Sequence, residues 1–431
     1  MKYSVAPHCF LHAIIALLSF SSFVGAATFR GLGDLPGGSF SSVATAVSAD
    51  GKTVAGYSAG TNGYEAVRWT GPTGLTGLGD LPGGTFASFA NGISADGTTI
   101  VGNSQSTDGD QAFRWTEATG MIGLGDLPGS SFFSFAAGVS SNGNVVVGHS
   151  ASALSGTRYE AFRWTPATDM AGLGDLPGGV FNSRAWGVSA DGLVVVGESS
   201  SANSGNNNLE AFRWTSSGMI GLGDLPGGPF HSIAYAISAD GSMIAGYSIP
   251  SSGDHAAFRW TAGTGMLGLG ALPCDTFSIA RAASADGSII VGDPQTSSGD
   301  CVFVWDAQRG IRRLSEVMAT DYGLTLTGWT LRRATAVSQN GHVIVGYGIN
   351  PSGQTEGWIA DFTPSLEIIR GTNHVLLQWP TNPPSFTLQK TPALSPGTWT
   401  SVFPAASVIS NSYVVTNTIS GDANFFRLAS P

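Results

Sequence analysis

Short β-prone runs, each closed by polar turn residues, recur along this chain. Between Phe40 and Leu81, FSSVATAVS is followed by the turn Ala49-Asp50-Gly51 and then by KTVAGYS. Two β-prone runs joined through Asp-Gly predict a hairpin. A polar loop leads on to YEAVRWT, and a short Gly-containing turn to GLTGLGDLPGG, so this stretch predicts four strands. In later units the second strand is continuously apolar, as at Val145–Val147, Val194–Val196 and Ile289-Ile290. Such runs predict strands covered on both faces. Radially stacked blades bury both faces of every sheet, whereas a sandwich exposes one.

The same unit returns. Variants of GLGDLPGG begin at Gly31, Gly77, Gly123, Gly172, Gly221 and Gly268, and a repeat of about 46–49 residues indicates a propeller, solenoid or array. One first-strand position reads Ala44, Ala90, Ala136, Ala185, Ala234, Ala280 and Ala334, and the position two residues on is always Ala or Gly. Small residues suit an innermost strand, where blades converge. Hairpin turns fall at Ser48, Ser94, Ser140, Ser189, Ser238, Ser284 and Ser338, which makes seven units. The last unit has three strands before Pro364, and the chain begins with an orphan fourth strand, TFRGLGDLPGG. The expected fold is therefore all-β: a seven-bladed β-propeller over residues 28–363, its last blade closed by the N-terminal strand. An open array would need capping units at both ends.

From Pro364 the pattern changes. LEIIR, HVLLQWP, FTLQKT, TWTSVF, SYVVTNT and NFFRLAS predict about six short strands, a small β-sandwich over residues 364–431. The units GLGDLPGG, SADG, VVGYS-like and EAFRWT resemble the HAF-type extracellular repeats of bacterial exported proteins, over Thr28 to about Phe362. The tail resembles a fibronectin- or immunoglobulin-like module of such proteins. The resemblance implies an exported bacterial protein and no particular activity. His-Ala-Phe itself is absent, the nearest forms being Gln111-Ala112-Phe113 and His255-Ala256-Ala257-Phe258.

Composition narrows the function classes. Only 11% of residues are charged and the net charge is −10, which disfavours nucleic acid as a partner. Lys2, the apolar run Phe10 to Val24 and the small residues Gly25, Ala26 and Ala27 predict a signal peptide over residues 1–27. No later apolar stretch is long enough for a membrane span. The expected location is secreted or extracellular, with periplasm or cell surface as variants. Oligomeric state is left open.

Motifs that imitate chemistry fail their context. Gly56-Tyr57-Ser58-Ala59-Gly60 matches a nucleophile elbow, but no helix pattern follows it. Gly263 to Gly268 matches G-x-G-x-x-G yet bridges two strands of one blade. The Asp of SADG lacks EF-hand spacing, and Asn142 and Asn340 replace it in other units. No metal site, cofactor or catalytic set is expected.

Informative positions in a repeat are those where the units disagree. After the invariant Ala come Thr45, Asn91, Ala137, Trp186, Tyr235, Arg281 and Thr335. Arg184, Trp186, His231, Tyr235 and Arg281 are therefore the candidate ligand patch, suited to a glycan, with packing between blades as the competing reading. A surface protein is the other candidate partner. The alternative function is a polysaccharide lyase or glycoside hydrolase, using carboxylates among Glu198, Asp254, Asp300, Glu316 and Asp321. A short helix over Ser315–Tyr322 is expected, with Ser315 as its N-cap.

Two further expectations are structural. Asp34/Arg68, Asp80/Arg114, Asp126/Arg163, Asp175/Arg213 and Asp224/Arg259 form a series that changes jointly to Ala271/Val304, as contacting ion pairs would. Cys274 and Cys301 flank that changed pair symmetrically, so a disulfide is expected to replace it in an oxidising compartment.

Overall fold

A computed structural model of the 431-residue chain describes residues 27–205, 208–274, 276–294, 301–381, 386–392, 398–402, 406–409, 412–418 and 424–429. The expected signal peptide lies outside them, apart from Ala27. Ala27–Thr363 forms one compact unit, and Pro364–Pro431 belongs to a second.

The first unit is a β-propeller. Its N-terminal strand β1 (Thr28–Gly31) precedes a four-stranded meander of β2 (Gly37–Val47), β3 (Thr53–Gly60), β4 (Tyr64–Thr70) and β5 (Gly74–Gly77), hydrogen-bonded in chain order. Among the described residues this meander recurs until seven four-stranded antiparallel sheets stand in sequence. The last takes Thr330–Val337, Val343–Ile349 and Thr355–Asp361 from one end of the chain and β1 from the other, with Thr28 opposite Asp361 and Gly31 opposite Trp358.

The inner strands decide the spacing. In each sheet the first strand carries a β-bulge after the invariant alanine: Ala44 faces Gly56 and Ala46 faces Ala55, leaving Thr45 unpaired. The carbonyl before that alanine turns against the second strand, where a Cβ on Gly56, Gly102, Gly148 or Gly197 would overlap it. Two residues past the alanine, a Cβ on Gly138 or Gly187 would come within 3.1 and 3.0 Å of the next inner strand's Trp186 and Tyr235 carbonyls. Only a hydrogen or a methyl fits there.

Serines join consecutive sheets. Ser183 Oγ accepts the Ala161 N–H of the preceding sheet at 2.9 Å and donates to the Gly174 carbonyl at 2.6 Å. Ser42, Ser88, Ser134, Ser232 and Ser278 repeat this double bond, Ser42 with Gly357 and Gly33. At the last junction Arg332 holds the serine's position, and the helix α1 (Leu314–Tyr322) packs Leu314, Val317 and Met318 into the core with Leu331. Its N-cap is Arg313, with no side-chain cap bond, rather than Ser315.

The expected aspartate–arginine pairs do not form. Among the described residues no ion pair joins Asp34, Asp80, Asp126, Asp175 or Asp224 to an arginine. Each aspartate sits in the loop between fourth and first strands, while each arginine lies on the third strand toward the opposite rim. Arg114 and Arg163 donate through Nε to the turn carbonyls of Gly143 and Gly192 in the next sheet, both at 3.1 Å. The loop's real partner is the glutamate that opens the third strand. Glu65, Glu160, Glu210 and Glu356 accept the N–H of Gly79, Gly174, Gly223 and Gly33 at 2.8, 3.3, 3.1 and 2.9 Å. The motif's first glycine makes room for that carboxylate, since a Cβ on Gly31, Gly77, Gly172 or Gly221 would overlap it. In the fifth sheet Ala256 replaces the glutamate, and Gly268 then has nothing nearer than Leu225 at 3.6 Å. Ala271 thus stands in the loop that has lost this contact.

The disulfide joins Cys274 and Cys301, with Cα atoms 6.2 Å apart. It replaces no ion pair. It tethers the loop that follows Gly268, where Ala256 stands in place of the anchoring glutamate.

In the second unit, Glu367–Arg370, His374–Pro380, Ser412–Thr418 and Ser407–Ile409 make one sheet. Thr400–Ser401, Thr387–Thr391 and Phe425–Ala429 make another. Leu377, Trp379 and Val415 from the first share a buried cluster with Leu388 of the second.

Glu356 also accepts a 2.8 Å bond from Asn350, so Glu356→Ala leaves the Gly33 amide without its acceptor and the Asn350 amide with only a longer bond to Gln354 at 3.4 Å. A stability loss of about 1–3 kcal/mol is expected, read as a lower urea midpoint at unchanged slope.

Candidate functional site

The two rims of the propeller differ. At the hairpin-turn rim, backbone bonds run from one unit to the next: the N–H of Ala49, Ala95, Ser141, Ala190, Ala239 and Ala285 donates to the carbonyl of Ala95, Ser141, Ala190, Ala239, Ala285 and Gln339 in turn. A cavity of about 150 Å³ on the axis is lined by these residues and the apolar ends of the inner strands. Gln339 Nε2 spans it to Ser141 Oγ at 3.2 Å. Asp50, Asp96, Asp191, Asp240 and Asp286 each accept a bond from the turn serine two residues before, so the SADG carboxylates are turn elements.

At the opposite rim the units part company. The bulge directs its unpaired residue toward the axis. In three units this residue is Thr45, Asn91 or Thr335, each bonded to the neighbouring inner strand's carbonyl. In three successive units it is Trp186, Tyr235 and Arg281. The Trp186 and Tyr235 rings lie 5.8 Å apart, and the Arg281 guanidinium lies 5.1 Å from the Tyr235 ring. His231 sits 3.2 Å from the Tyr247 hydroxyl, and Tyr247 lies 6.1 Å from Tyr235. Arg184 forms a 2.7 Å ion pair with Glu198 and lies over Tyr159. The five residues singled out from the sequence thus belong to one cluster.

Apart from Glu198, named above among the candidate carboxylates, sequence reasoning missed its other half. The middle residue of the Gly-x-Ser step on the second strand reads Tyr57, Asn103, His149, Glu198, Tyr247, Asp293 and Tyr347, each opposite the residue before the invariant alanine. These positions also disagree between units, which was the available signal. Asp293, 1% exposed, holds Arg281 at 2.8 Å and lies 3.2 Å from Arg333. His149 is buried among Phe133, Phe135, Tyr159 and Trp186, and His255 stacks on Tyr247 at 4.3 Å.

Burial sets the electrostatics. It lowers His149 to about 3, with Arg184 adding to the effect. It lowers His231 and His255 as well, aided by His255 and Arg281 respectively. Burial also raises the Glu198 carboxyl, against the pull of Arg184. Burial opposes the charge on Arg281, but Asp293 outweighs it and holds the guanidinium protonated. His149 Nδ1, His255 Nδ1 and Arg333 Nε are buried without a hydrogen-bond partner, as are Arg312 Nε, Trp358 Nε1 and Trp379 Nε1 elsewhere.

Of the remaining described acids, Asp254 reaches the edge of this cluster, where its charge acts on His255. Asp321 bonds Arg309 and Arg312, and Glu316 pairs with Arg313. Asp254 lies in the loop beside His255, and Asp300 lies outside the described residues. Ser58 of the elbow-like motif is fully buried and accepts the Leu35 N–H at 2.9 Å, a structural bond repeated by Ser104, Ser150, Ser199 and Ser248. Among the described residues no group of three or more His, Cys, Asp or Glu could hold a metal ion. No helix among them is long and apolar enough to cross a membrane.

No family model matches the chain, and no curated protein matches it. Similar solved structures include TolB from Acinetobacter baumannii, 14% identical with a TM-score of 0.43, over 61% of this chain and 63% of that one. The gluconolactonase XC5397 from Xanthomonas campestris is 16% identical with a TM-score of 0.38, over 69% and 90%. The β-propeller domain of the Trilobed protease from Pyrococcus furiosus is 11% identical with a TM-score of 0.46, over 78% and 96%. The chain spans less than two thirds of that TolB, and no function follows from likeness at this level.

Because folded His149 titrates well below an unfolded histidine, the unfolded chain takes up its proton first as pH falls. Its contribution to stability is therefore present above about pH 6.5 and is lost progressively toward pH 3. Wild type is expected to lose more stability between pH 7 and pH 4 than His149→Phe, compared by urea midpoints at both pH values.

Proposed function

We propose that this protein is an exported, non-enzymatic binding protein of the HAF-repeat type, a seven-bladed propeller followed by a fibronectin- or immunoglobulin-like sandwich, which holds a glycan at the non-turn end of its axis. The observation that carries this reading is the contrast between rims. The units agree at the turn rim and diverge into Trp186, Tyr235, Arg281, Arg184 and His231 at the other. Stacked aromatic faces beside a few fixed donors suit sugar rings, which present apolar faces and hydroxyl edges.

The lyase or hydrolase alternative draws less support. A hydrolase needs two carboxylates facing a common groove, whereas Glu198 and Asp293 are each bound to arginine and the acids around α1 pair elsewhere. The predicted signal peptide and the exported relatives implied by the repeat resemblance favour a secreted or cell-surface location. The C-terminal module acts as a spacer or docking element.

Wild type and Trp186→Ala/Tyr235→Ala are to be compared on a panel of extracellular glycans. Wild type is expected to bind at least one, and the double variant to bind it at least tenfold more weakly. Equal binding by both, or by neither, removes the proposal. Depolymerisation of any glycan by wild type restores the enzyme reading.

A further inference from the structure

We infer that the ligand of the axial cluster carries an oxyanion, a carboxylate or sulfate on a sugar ring, and that Arg333 is the residue that reads it. This rests on the glycan reading above. The argument is one of unbalanced charge. Arg184, Arg281 and Arg333 face two carboxylates, Glu198 and Asp293. Arg184 is balanced by Glu198 at 2.7 Å. Asp293 is shared: Oδ1 accepts from Arg281 Nε at 2.8 Å, and Oδ2 accepts from Arg281 Nη2 at 3.4 Å while lying 3.2 Å from Arg333 Nε. Arg333 Nε is within ion-pair range of that carboxylate but is not aligned to donate to it. Arg333 Nε accordingly lacks a hydrogen-bond partner, though the charge contact holds the side chain in place.

That arrangement leaves a positioned cation with unspent donors. A guanidinium presents five N–H groups in a fixed fork that matches a planar or tetrahedral oxyanion. Arg333 is the most accessible of the three arginines, 37% exposed against 29% for Arg184 and 19% for Arg281. Its guanidinium lies 5.8 Å from the Tyr347 ring. One surplus positive charge would be unremarkable on a basic protein. On a chain of net charge −10, held beside aromatic rings at the one rim where the units diverge, it specifies the sign of the ligand.

Four probes test this: an oligogalacturonate, its carboxyl-reduced neutral counterpart, a sulfated galactan oligosaccharide and its desulfated form. Each is titrated calorimetrically into wild type, Arg333→Gln and Arg333→Lys. The acidic member of at least one pair is expected to bind wild type at least tenfold more tightly than its neutral partner, with affinity falling as salt rises. The pair that shows the preference identifies carboxylate or sulfate. Arg333→Gln should abolish the preference, and Arg333→Lys should retain only part of it, having the charge without the fork. Urea midpoints of both variants show whether each remains folded. Neutral and acidic members binding wild type equally, or an undiminished preference in folded Arg333→Gln, overturns the inference and leaves the glycan reading intact. Failure of all four probes, with binding of neutral glycans in the wider panel, also overturns the inference alone. No binding to any glycan overturns both.

Discussion

Every feature of the propeller depends on the close approach of adjacent sheets at a serine hydroxyl. Ser183 and its five counterparts stand where the third strand of one sheet meets the first strand of the next, accepting an amide and donating to a loop carbonyl. A hydroxyl is the smallest side-chain group that can do both at once. A larger side chain would separate the sheets; alanine would leave a buried amide and carbonyl unpaired. Where Arg332 interrupts the series, a helix and a larger apolar cluster fill the space. Small inner-strand residues, Gly-x-Ser steps and loop glycines all serve this separation.

The local parts of the architecture were legible because they are encoded locally. Asp-Gly turns, alternating runs and the orphan strand at Phe29 each announce themselves within a few residues. What needed the third dimension was partnership. Asp175 and Arg213 belong to a series that is lost jointly at Ala271 and Val304, yet the topology places them at opposite rims. The loop's own contact is between Glu160 and Gly174, and a glycine carries no side chain to suggest one. Sequence comparison can show that two positions depend on a common loop without showing which atoms touch.

The candidate site was half legible for a similar reason. Disagreement between units marked Trp186, Tyr235 and Arg281 on the first strand. Glu198 was marked as a unit-specific acid, and the same criterion applied along the second strand would have added His149, Tyr247 and Asp293, which complete the cluster. Arg333 escaped notice because its neighbour Thr335 resembles Thr45, making the seventh unit look ordinary at the position compared. The scaffold and the site thus use different parts of one repeat: residues that must agree set the spacing, and the bulge beside them frees one position per unit to differ.

The pairing of β1 with the last sheet also orders events in time. Gly33 and Glu356, bonded to each other, are separated by 323 residues. In a chain made from its N-terminus, the strand synthesised first is among the last to find its place, since its partner does not exist until nearly the whole propeller has been made. Until then the seventh sheet is one strand short and the first sheet has no neighbour on one side. Assembly therefore ends with a single closing step at which both ends of the propeller become ordered together, a long-range contact of the kind that slows folding.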